Sequence, residues 1–244
     1  MQVEYAQTYR TLWECHWWWR AREAYLLDHL ERLHRRMRER PLRILDIGCG
    51  DGLFFERLSR FGRVEGLERN AALLADPRWR TRITVGTLGG DYAPGPVHDL
   101  VLMLDVLEHI DDDLAALRAV HGLLKPGGTL LLTVPALPWL WSRHDLVNEH
   151  HRRYERRRLA ESLRASGFEV VAVRYFFAWT VGPLLVRRWL CPARGRQVAS
   201  DYAVSVPPAP LNRALTLLSR AEQVAGRFVR WPLGSSLMAE ARCT

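Results

Sequence analysis

Lysine is almost absent from this chain, and cysteine is sparse. Lys125 is the single lysine among 244 residues, so arginine supplies nearly all of the formal net charge of +8. Arginine-rich coding bias produces such a charge as readily as an anionic partner selects it, so the charge alone demands neither nucleic acid nor an acidic membrane. The cysteines form no CxxC pair, which argues against a disulfide framework or a zinc knuckle and fits a reducing compartment. They are Cys15, Cys49, Cys191 and Cys243.

Long apolar runs are also missing. No stretch reaches the roughly 20 apolar residues that a membrane-spanning helix needs. The first residues, MQVEYAQTYRTLWECHWWWR, are too polar and acidic for a secretory signal. With 48% hydrophobic and 25% charged residues, the composition is that of an ordinary globular protein. We therefore expect a cytoplasmic protein of one domain with an elaboration, and any membrane contact to be peripheral, at the inner face.

Short apolar runs alternate with helical patterns between Leu42 and Val134. Strands are predicted at 43–47, 63–67, 83–85, 100–104 and 129–134, and helices at 53–60 and 111–124. Pro126, Gly127 and Gly128 are expected to stop the second of these helices. A helix at 158–165 and strands at 168–174 and 235–242 follow. The alternation predicts an α/β fold with a parallel sheet and helices on both faces, and ligands bind such sheets at the carboxyl ends of the strands.

A glycine loop follows the first predicted strand, in ILDIGCGDG at 44–52. Its glycines are Gly48, Gly50 and Gly52. Glycines allow a tight turn and the close approach of a ligand, but the dinucleotide fingerprint needs another glycine where Leu53 stands. Asp46 and Asp51 would repel a pyrophosphate at this position. The loop therefore favours a ligand that is cationic and carries no phosphate.

S-Adenosyl-L-methionine meets these requirements, because it carries a sulfonium, an ammonium and a ribose. Glu68 lies at the end of the second predicted strand, twenty residues after Gly48. A carboxylate at that place can accept hydrogen bonds from both ribose hydroxyls.

At these motifs the sequence resembles the class I S-adenosylmethionine-dependent methyltransferases, over 42–134. ILDIGCGDG is similar to the family's first motif and VEGLERN to its second. LDVLEHIDD resembles the motif of the fourth strand, and LLKPGGTLLLTVP the helix, turn and strand that follow. The resemblance implies a seven-stranded Rossmann-like methyltransferase sheet with helices on both faces, and S-adenosyl-L-methionine as the cofactor.

The resemblance also implies a set of cofactor-binding residues. They are Asp46, Gly48, Cys49, Gly50, Gly52, Glu68, Arg69, Thr87, Leu88, Leu104, Asp105 and His109. Within this set the resemblance places the loop at the methionine part and Glu68 at the ribose. Thr87 and Leu88 would edge the adenine, where many family members carry an acid instead. Leu104, Asp105 and His109 would lie near the methionyl end.

The stretch WSRHDLVNEHHRRYERRR, at 141–158, follows the fifth strand and should overhang the methyl group of the cofactor. Acids at Asp145, Glu149 and Glu155 interrupt its arginines, which argues against a continuous nucleic-acid track. A metal site is an alternative, with ligands from His144, Asp145, His150 and His151. A capped, solvated helix face is the other alternative.

We favour a catalytic wall at this stretch, because histidine titrates near neutrality and can take the proton of an attacking hydroxyl. His144 and His150 are the leading candidates for the base, followed by His151. Tyr154 and Arg153 are expected to orient the acceptor. No metal is assigned.

Two segments lie outside the resembling core, which we divide as 1–40 (helical cap), 41–175 (cofactor-binding core), 176–234 (insertion) and 235–244 (final strand). The cap holds a tryptophan cluster at Trp13, Trp17, Trp18 and Trp19, and some of these should line a pocket. The insertion begins with the apolar run 176–186, continues as a loop at 193–210, and ends in an amphipathic helix at 211–229. We rank it first as a lid over a hydrophobic pocket and second as a membrane contact.

These features predict a methyltransferase that acts on a small-molecule or lipid-like acceptor, most simply at oxygen. Beyond Val134 the sequence is similar to the ubiquinone-type quinone methyltransferases, whose substrates are apolar. An RNA or protein methyltransferase is a rival that the charge of +8 motivates. A non-catalytic cofactor-binding module is the second rival.

Overall fold

The computed structural model describes residues 10–90, 92–190 and 206–244, and a seven-stranded sheet runs through them. The strands are β1 (Leu42–Ile47), β2 (Gly62–Glu68), β3 (Ile83–Val85), β4 (His98–Leu104), β5 (Leu124–Pro135), β6 (Phe168–Phe176) and β7 (Ser236–Cys243). Their order in the sheet is β3-β2-β1-β4-β5-β7-β6. The first five pair in parallel, and β7 is antiparallel to both of its neighbours.

The helices that flank the sheet begin at Trp17, after a helical turn at 10–15. They are α1 (Trp17–Arg36), α2 (Phe55–Leu58), α3 (Asp113–Leu123), α4 (Arg143–Val147), α5 (Arg156–Ala165), α6 (Val181–Leu190) and α7 (Ala209–Ala225). Short 3-10 turns occur at Ala71–Leu73, Arg80–Arg82, Leu107–His109 and Pro138–Leu140. The seven-stranded Rossmann-like architecture predicted from the sequence is confirmed.

Helices cover both faces of the sheet, which is why the central strands read as continuous apolar runs. The layer under α3 and α5 contains Leu45, Val101, Leu117, Leu130, Leu159 and Leu163. The layer under α1 and α2 contains Leu26, Leu30, Ile44, Phe55, Leu58 and Leu102. Burial on both sides fixes β1 and β4 in the middle of the sheet, with their carboxyl ends at one edge.

The junction between α3 and β5 differs from the prediction. Asp112 caps α3 by accepting the N–H of Ala115 at 2.9 Å, and the helix ends at Leu123. The strand starts at the next residue, so Pro126, Gly127 and Gly128 lie within β5 and do not separate it from the helix. The register between β4 and β5 shifts between His98 and Leu100, and this irregularity accommodates the glycines.

The insertion contains α6 and α7, and the loop predicted at 193–210 falls largely outside the described residues. α7 lies against α1 through polar groups. The Asn212 side chain accepts the N–H of Trp17 at 2.8 Å and donates to the carbonyl of Cys15 at 2.8 Å. The Gln223 side chain donates to the carbonyl of Ala24 at 3.1 Å. No helix in the described ranges is long and apolar enough to cross a membrane.

The tryptophan cluster joins the cap to the start of the insertion. All four of its indoles, those of Trp13, Trp17, Trp18 and Trp19, are half-buried. The rings of Trp17 and Trp18 lie 6.2 Å and 5.8 Å from that of Phe177, and the ring of Trp13 lies 5.8 Å from that of Phe54. These contacts place an aromatic wall between α1 and the segment that follows β6.

Candidate active site

The glycine loop leaves β1 with its glycines in the left-handed backbone region. The φ angle is +70° at Gly48, +57° at Gly50 and +78° at Gly52. A Cβ atom on Gly48 would lie 2.5 Å from the Val106 side chain, whereas one on Gly50 would meet no described atom within 4 Å. Gly48 therefore packs the loop against the turn after β4, and Gly50 borders the space that a ligand can enter.

Glu68 ends β2 and holds this loop in place. Its Oε2 accepts the N–H of Gly50 at 3.0 Å, and its Oε1 accepts the N–H of Asn70 at 2.9 Å. A carboxylate has about four acceptor positions, so it can still accept the hydroxyls of a ribose. The N–H of Gly86 donates to the carbonyl of Glu68 at 3.0 Å, which brings the predicted adenine residues Thr87 and Leu88 next to this strand end.

Asp46 adds a second buried carboxyl group beside Glu68. Burial raises the pKa of Asp46 to about 7; the Arg22 guanidinium opposes this shift, and the Glu68 carboxylate adds to it. An opposite charge favours the ionised form of such a group, so a bound cation would lower this pKa. Asp51 is not free to pair with a bound cation in this way, because its carboxylate already pairs with Arg10 at 2.7 Å.

Asp105 stands at the end of β4 in a left-handed conformation, with a φ of +58°. Its Oδ2 lies 2.8 Å from Arg22 Nη2, and its Oδ1 accepts the hydroxyl of Thr133 at 2.9 Å. Arg22 also donates to Thr133 Oγ1 at 2.8 Å. This three-residue network joins α1 to the carboxyl ends of β4 and β5, and neither Arg22 nor Thr133 was predicted as part of the site.

Asp145 and His150 form a buried hydrogen-bonded pair in the histidine stretch. His150 Nδ1 lies 2.9 Å from Asp145 Oδ1, and Arg153 Nε donates to the same oxygen at 2.8 Å. Burial alone would raise the pKa of Asp145, but the hydrogen bonds from His150, Arg153 and the Ser142 backbone hold it below its usual range. Asp145 is therefore a carboxylate that only accepts, so His150 donates from Nδ1, and Nε2 is the acceptor nitrogen whenever the imidazole is neutral.

His150 meets the turn that follows β4. Its ring lies 4.8 Å from that of His109 and 6.1 Å from that of His144. Burial, with a smaller contribution from His150, lowers the pKa of His109 to about 4. His151 donates its backbone N–H to the Glu108 carbonyl at 2.8 Å, which fastens the stretch to the turn.

Glu108 is the most unusual group of this turn. It is fully buried, and neither carboxylate oxygen has a hydrogen-bond partner among the described residues. Burial and the Asp105 carboxylate raise its pKa well above the usual range. The ligand atoms of Glu108, His109 and His150 lie within 4.8 Å of one another, so the three could hold a metal ion. This set shares only His150 with the metal alternative drawn from the sequence.

The remaining predicted residues differ in how exposed their side chains are and in what they contact. His144 lies near His150, while the side chain of His151 is 45% exposed and 3.9 Å from Asp111. Tyr154 is fully buried in the core and donates its hydroxyl to Asp113 at 2.9 Å, so it supports the stretch from beneath. Arg69 is exposed. The predicted orienting residue Arg153 is buried on Asp145.

Cys49 lies in the loop among acidic groups. Burial, followed by Asp46 and Glu68, raises the pKa of its thiol well above the usual range. A nucleophilic role would need the thiolate, so the geometry agrees with a small loop residue. Leu104 is half-buried at the end of β4.

A comparison with protein families identifies this architecture. Residues 18–173, more than half of the chain, match the family model for a methyltransferase domain. The chain belongs to the methyltransferase domain family. The resemblance found in the motifs is thereby confirmed, and with it S-adenosyl-L-methionine as the methyl donor of the family.

Curated relatives match part of this chain. The ubiquinone biosynthesis O-methyltransferase of Ruegeria pomeroyi is 42% identical over 102 residues, which cover 37% of this chain and 41% of that enzyme. The enzyme of the same name from Xanthomonas campestris is 36% identical, over 37% of this chain and 42% of its own. The chain thus matches about two-fifths of the length of these relatives.

Solved structures of low sequence identity share the fold. A methyltransferase from Thermotoga maritima, described as a possible histamine N-methyltransferase, has a TM-score of 0.56 at 19% identity over 99% of this chain and 97% of that one. The 1,6-didemethyltoxoflavin-N1-methyltransferase of Burkholderia thailandensis, with S-adenosylhomocysteine bound, has a TM-score of 0.53 at 18% identity over 90% and 78%. At these identities the likeness concerns the fold alone.

Proposed function

We propose that this methyltransferase domain transfers the methyl group of S-adenosyl-L-methionine to a hydroxyl oxygen of a small-molecule or lipid-like acceptor. The observation that carries the proposal is the buried Asp145–His150 pair, held next to His109 on the turn after β4. A histidine oriented by a carboxylate through Nδ1 is the arrangement that general-base catalysis requires. Oxygen is favoured as the acceptor atom because a hydroxyl must lose its proton to a base during the transfer.

The cofactor would lie across the carboxyl ends of β1, β2 and β4. In this proposal Glu68 accepts the ribose hydroxyls, and Asp46 faces the ammonium and sulfonium charges. Gly48, Gly50 and Gly52 supply the close approach, with Cys49 between them. Thr87 and Leu88 lie at the edge of the adenine, and Arg69 lies on its solvent side. Leu104, Asp105 and His109 lie at the methionyl end.

The transfer is an in-line displacement at carbon. The acceptor O–H gives its proton to His150 Nε2 as the oxygen forms a bond to the methyl carbon. S-Adenosyl-L-methionine, when bound, would supply the methyl group and would keep the electron pair of the broken carbon–sulfur bond as S-adenosylhomocysteine. Asp145 stabilises the imidazolium that results, and alignment of the oxygen with the sulfonium supplies much of the rate. His144 and His151 border the base and are its alternates.

A metal-assisted route is the second candidate, and Glu108 favours it. A buried carboxyl group without a partner among the described residues needs either a proton or a cation. A divalent ion held by Glu108, His109 and His150 would lower the pKa of an acceptor hydroxyl. Treatment with a chelator followed by metal addition separates the routes: turnover that survives chelation supports His150 as the base, and turnover that depends on the ion supports the metal.

The acceptor is proposed to be apolar, and two supports are independent of each other. The first is the aromatic wall of Trp17, Trp18 and Phe177. It lies beside Asp105, because the Arg22 guanidinium that pairs with Asp105 also lies 5.6 Å from the centre of the Trp18 ring. The curated relatives act in ubiquinone biosynthesis as O-methyltransferases. In this proposal the segments 1–40 and 176–234 enclose the acceptor over the core at 41–175 and 235–244.

Location in the cell is proposed as cytoplasmic, with peripheral contact at the inner face of the membrane. Nucleic acid is not the proposed partner, because acids interleave the arginines of the histidine stretch. A steep loss of RNA affinity with rising salt would support the RNA rival instead.

The deciding experiment uses S-adenosylmethionine with a labelled methyl group and an extract of lipids and metabolites. We expect label in an organic-soluble molecule, as an O-methyl group identified by mass spectrometry. Label in RNA or protein would support the first rival. Cofactor binding without any labelled product would support a non-catalytic module.

A further inference from the structure

Helix α7 lies on the protein with its apolar side facing outward. Its polar residues face the protein: Ser219 Oγ accepts the indole N–H of Trp179 at 3.2 Å, and Glu222 accepts the backbone N–H of Trp179 at 3.0 Å. Leu217 is 65% exposed and Val224 is 52% exposed. A surface helix of a globular protein normally buries such residues. The outer side of α7 is therefore suited to an apolar surrounding.

Arginines border this apolar side. Arg213 and Arg220 lie seven residues apart and so on one stripe of the helix, and Arg227 follows at the same spacing just after the helix ends. Arg227 pairs with Asp28 at 2.6 Å, while Arg213 and Arg220 have no ion-pair partner within the described residues. Long arginine side chains at the border of an apolar face can reach the headgroup level of a membrane.

The segment that follows α7 continues the pattern. In residues 226–233, with the sequence GRFVRWPL, apolar side chains alternate with arginines. Phe228 is 86% exposed, the largest exposed fraction among the large hydrophobic residues described, and Val229 and Leu233 are about half exposed. Such residues would be poorly placed in water and well placed at the boundary between headgroups and acyl chains.

A cavity of about 390 Å³ opens beside this segment, between β6, α5 and the end of α7. Its lining includes four arginines, Arg156, Arg164, Arg174 and Arg230. None of the four forms an ion pair with another described residue. Glu222 is the one acid of the lining, and its carboxylate already accepts the Trp179 N–H. The guanidinium groups suit a phosphate, and the volume is that of a small-ligand site.

We propose that the outer side of α7, the 226–233 segment and this arginine cavity form one surface that docks on a membrane containing anionic phospholipids, with the cavity taking a phosphate headgroup. The inference deepens the proposed peripheral contact and rests on that part of the proposed function. A second copy of the chain would bring like charges together across the contact. A nucleic-acid backbone would match the arginines but would leave the leucines and Phe228 uncovered.

The test is flotation of the full chain with lipid vesicles, without cofactor or acceptor. We expect binding to vesicles of phosphatidylcholine mixed with phosphatidylglycerol, little binding to phosphatidylcholine alone, and weaker binding when NaCl rises from about 0.1 M to about 0.5 M. Arg220→Gln and Arg174→Gln should each lower the partition coefficient about fivefold. Phe228→Ser should lower it about tenfold. The matched controls Val85→Ser and Arg80→Gln, at the opposite edge of the sheet, should leave it unchanged.

Binding of S-adenosylhomocysteine by every variant shows that each one is folded and that the cofactor site is independent of the vesicle result. Absence of vesicle binding overturns the proposal, as does binding that the controls weaken as much as the surface variants. A dimer that Phe228→Ser dissociates would assign the surface to a second copy. Retention of RNA or soluble phosphate without vesicle binding would assign the arginines to a different partner.

Discussion

The carboxyl group of Asp46 is buried where the chain turns from β1 into the glycine loop. Burial raises its pKa to about 7, so the unliganded protein favours the neutral acid below that pH. The stabilisation linked to this raised value is complete below the pKa of the unfolded chain and is lost as the pH rises through about 7. A cation bound beside the group has the opposite preference, because it stabilises the carboxylate.

Cofactor affinity should therefore rise as the pH increases through about 7, with release of a proton. Calorimetry with S-adenosylmethionine in two buffers of different ionisation enthalpy measures that proton directly. Asp46→Asn should remove the pH dependence in this range and weaken binding about tenfold or more above it. Unchanged affinity of this variant would contradict the assigned role.

His150 is oriented by Asp145, and this pair gives the sharpest kinetic prediction. His150→Ala should lower kcat by about 10²-fold to 10⁴-fold, because a general base acts in the transition state. The Kd for S-adenosylhomocysteine should remain unchanged. His34→Ala is the matched control, since His34 lies in the last turn of α1 and contacts the Arg40 carbonyl at 2.9 Å, before β1 begins and away from the carboxyl ends of the strands. An equal loss of binding and turnover in His150→Ala would identify a structural residue.

At the scale of elements, a buried arginine is one of the groups that tie α1 to the sheet. Arg22 is 3% exposed and reaches Asp105 and Thr133 at the ends of β4 and β5. Removing one partner of a buried pair leaves the other charge uncompensated. The network therefore contributes to holding the start of α1 at the carboxyl ends of the strands.

Arg22→Met should lower the free energy of unfolding by about 3 kcal/mol, measured by urea denaturation. Arg32→Met is the control, because Arg32 pairs with Asp28 on the same helix while remaining partly exposed, and its loss should be below about 1 kcal/mol. Equal losses for the two variants would show that the buried network does not hold the cap.

The glycine loop allows a matched pair of substitutions. Gly48→Ala adds a Cβ atom 2.5 Å from Val106 as well as backbone strain at a φ of +70°. Gly50→Ala adds strain alone, at a φ of +57°. We expect thermal unfolding to show a loss of about 1 kcal/mol for Gly50→Ala and about 3 kcal/mol for Gly48→Ala. The reverse order would contradict the packing described for the loop.

The same elements show what a sequence can reveal. The central strands were predictable because burial on both faces requires continuous apolar runs, and the loop glycines because their conformation excludes other residues. The pairing of Asp145 with His150 could not be predicted. It depends on a turn at Glu149, with a φ of +58°, that no local pattern specifies. Arg22 was missed for a similar reason: its contacts with β4 and β5 come from the docking of a distant helix.

α7 gives the clearest difference between pattern and placement. The spacing of Leu211, Leu215, Leu218, Val224 and Phe228 predicts an amphipathic helix over 211–229, and the structure has a helix at Ala209–Ala225. Leu211, Leu218 and Val224 are exposed on it, whereas Leu215 is half-buried and Phe228 lies past its end. Periodicity cannot say which side faces the protein. Hydrogen bonds from Asn212 and Gln223 decide that question here, because they satisfy the polar side against α1.

Over the whole molecule, strand order separates two regions of different character. β1 and β4 are adjacent at the centre, where the order reverses, and their carboxyl ends form the acidic cleft. β6 lies at one edge of the sheet, beside the arginine cavity. The curated relatives match 37% of the chain, so most of its length lies outside the part it shares with them.

The central claim is that the acidic cleft binds a cationic nucleoside without a phosphate. Calorimetric titration with S-adenosylmethionine and with NAD tests it most directly, on the natural chain and on Glu68→Ala. S-Adenosylmethionine should bind the natural chain, NAD should not, and Glu68→Ala should weaken binding about tenfold or more through loss of the ribose contacts and of the Gly50 hydrogen bond. Binding of NAD, or equal affinity of Glu68→Ala for S-adenosylmethionine, would contradict the claim.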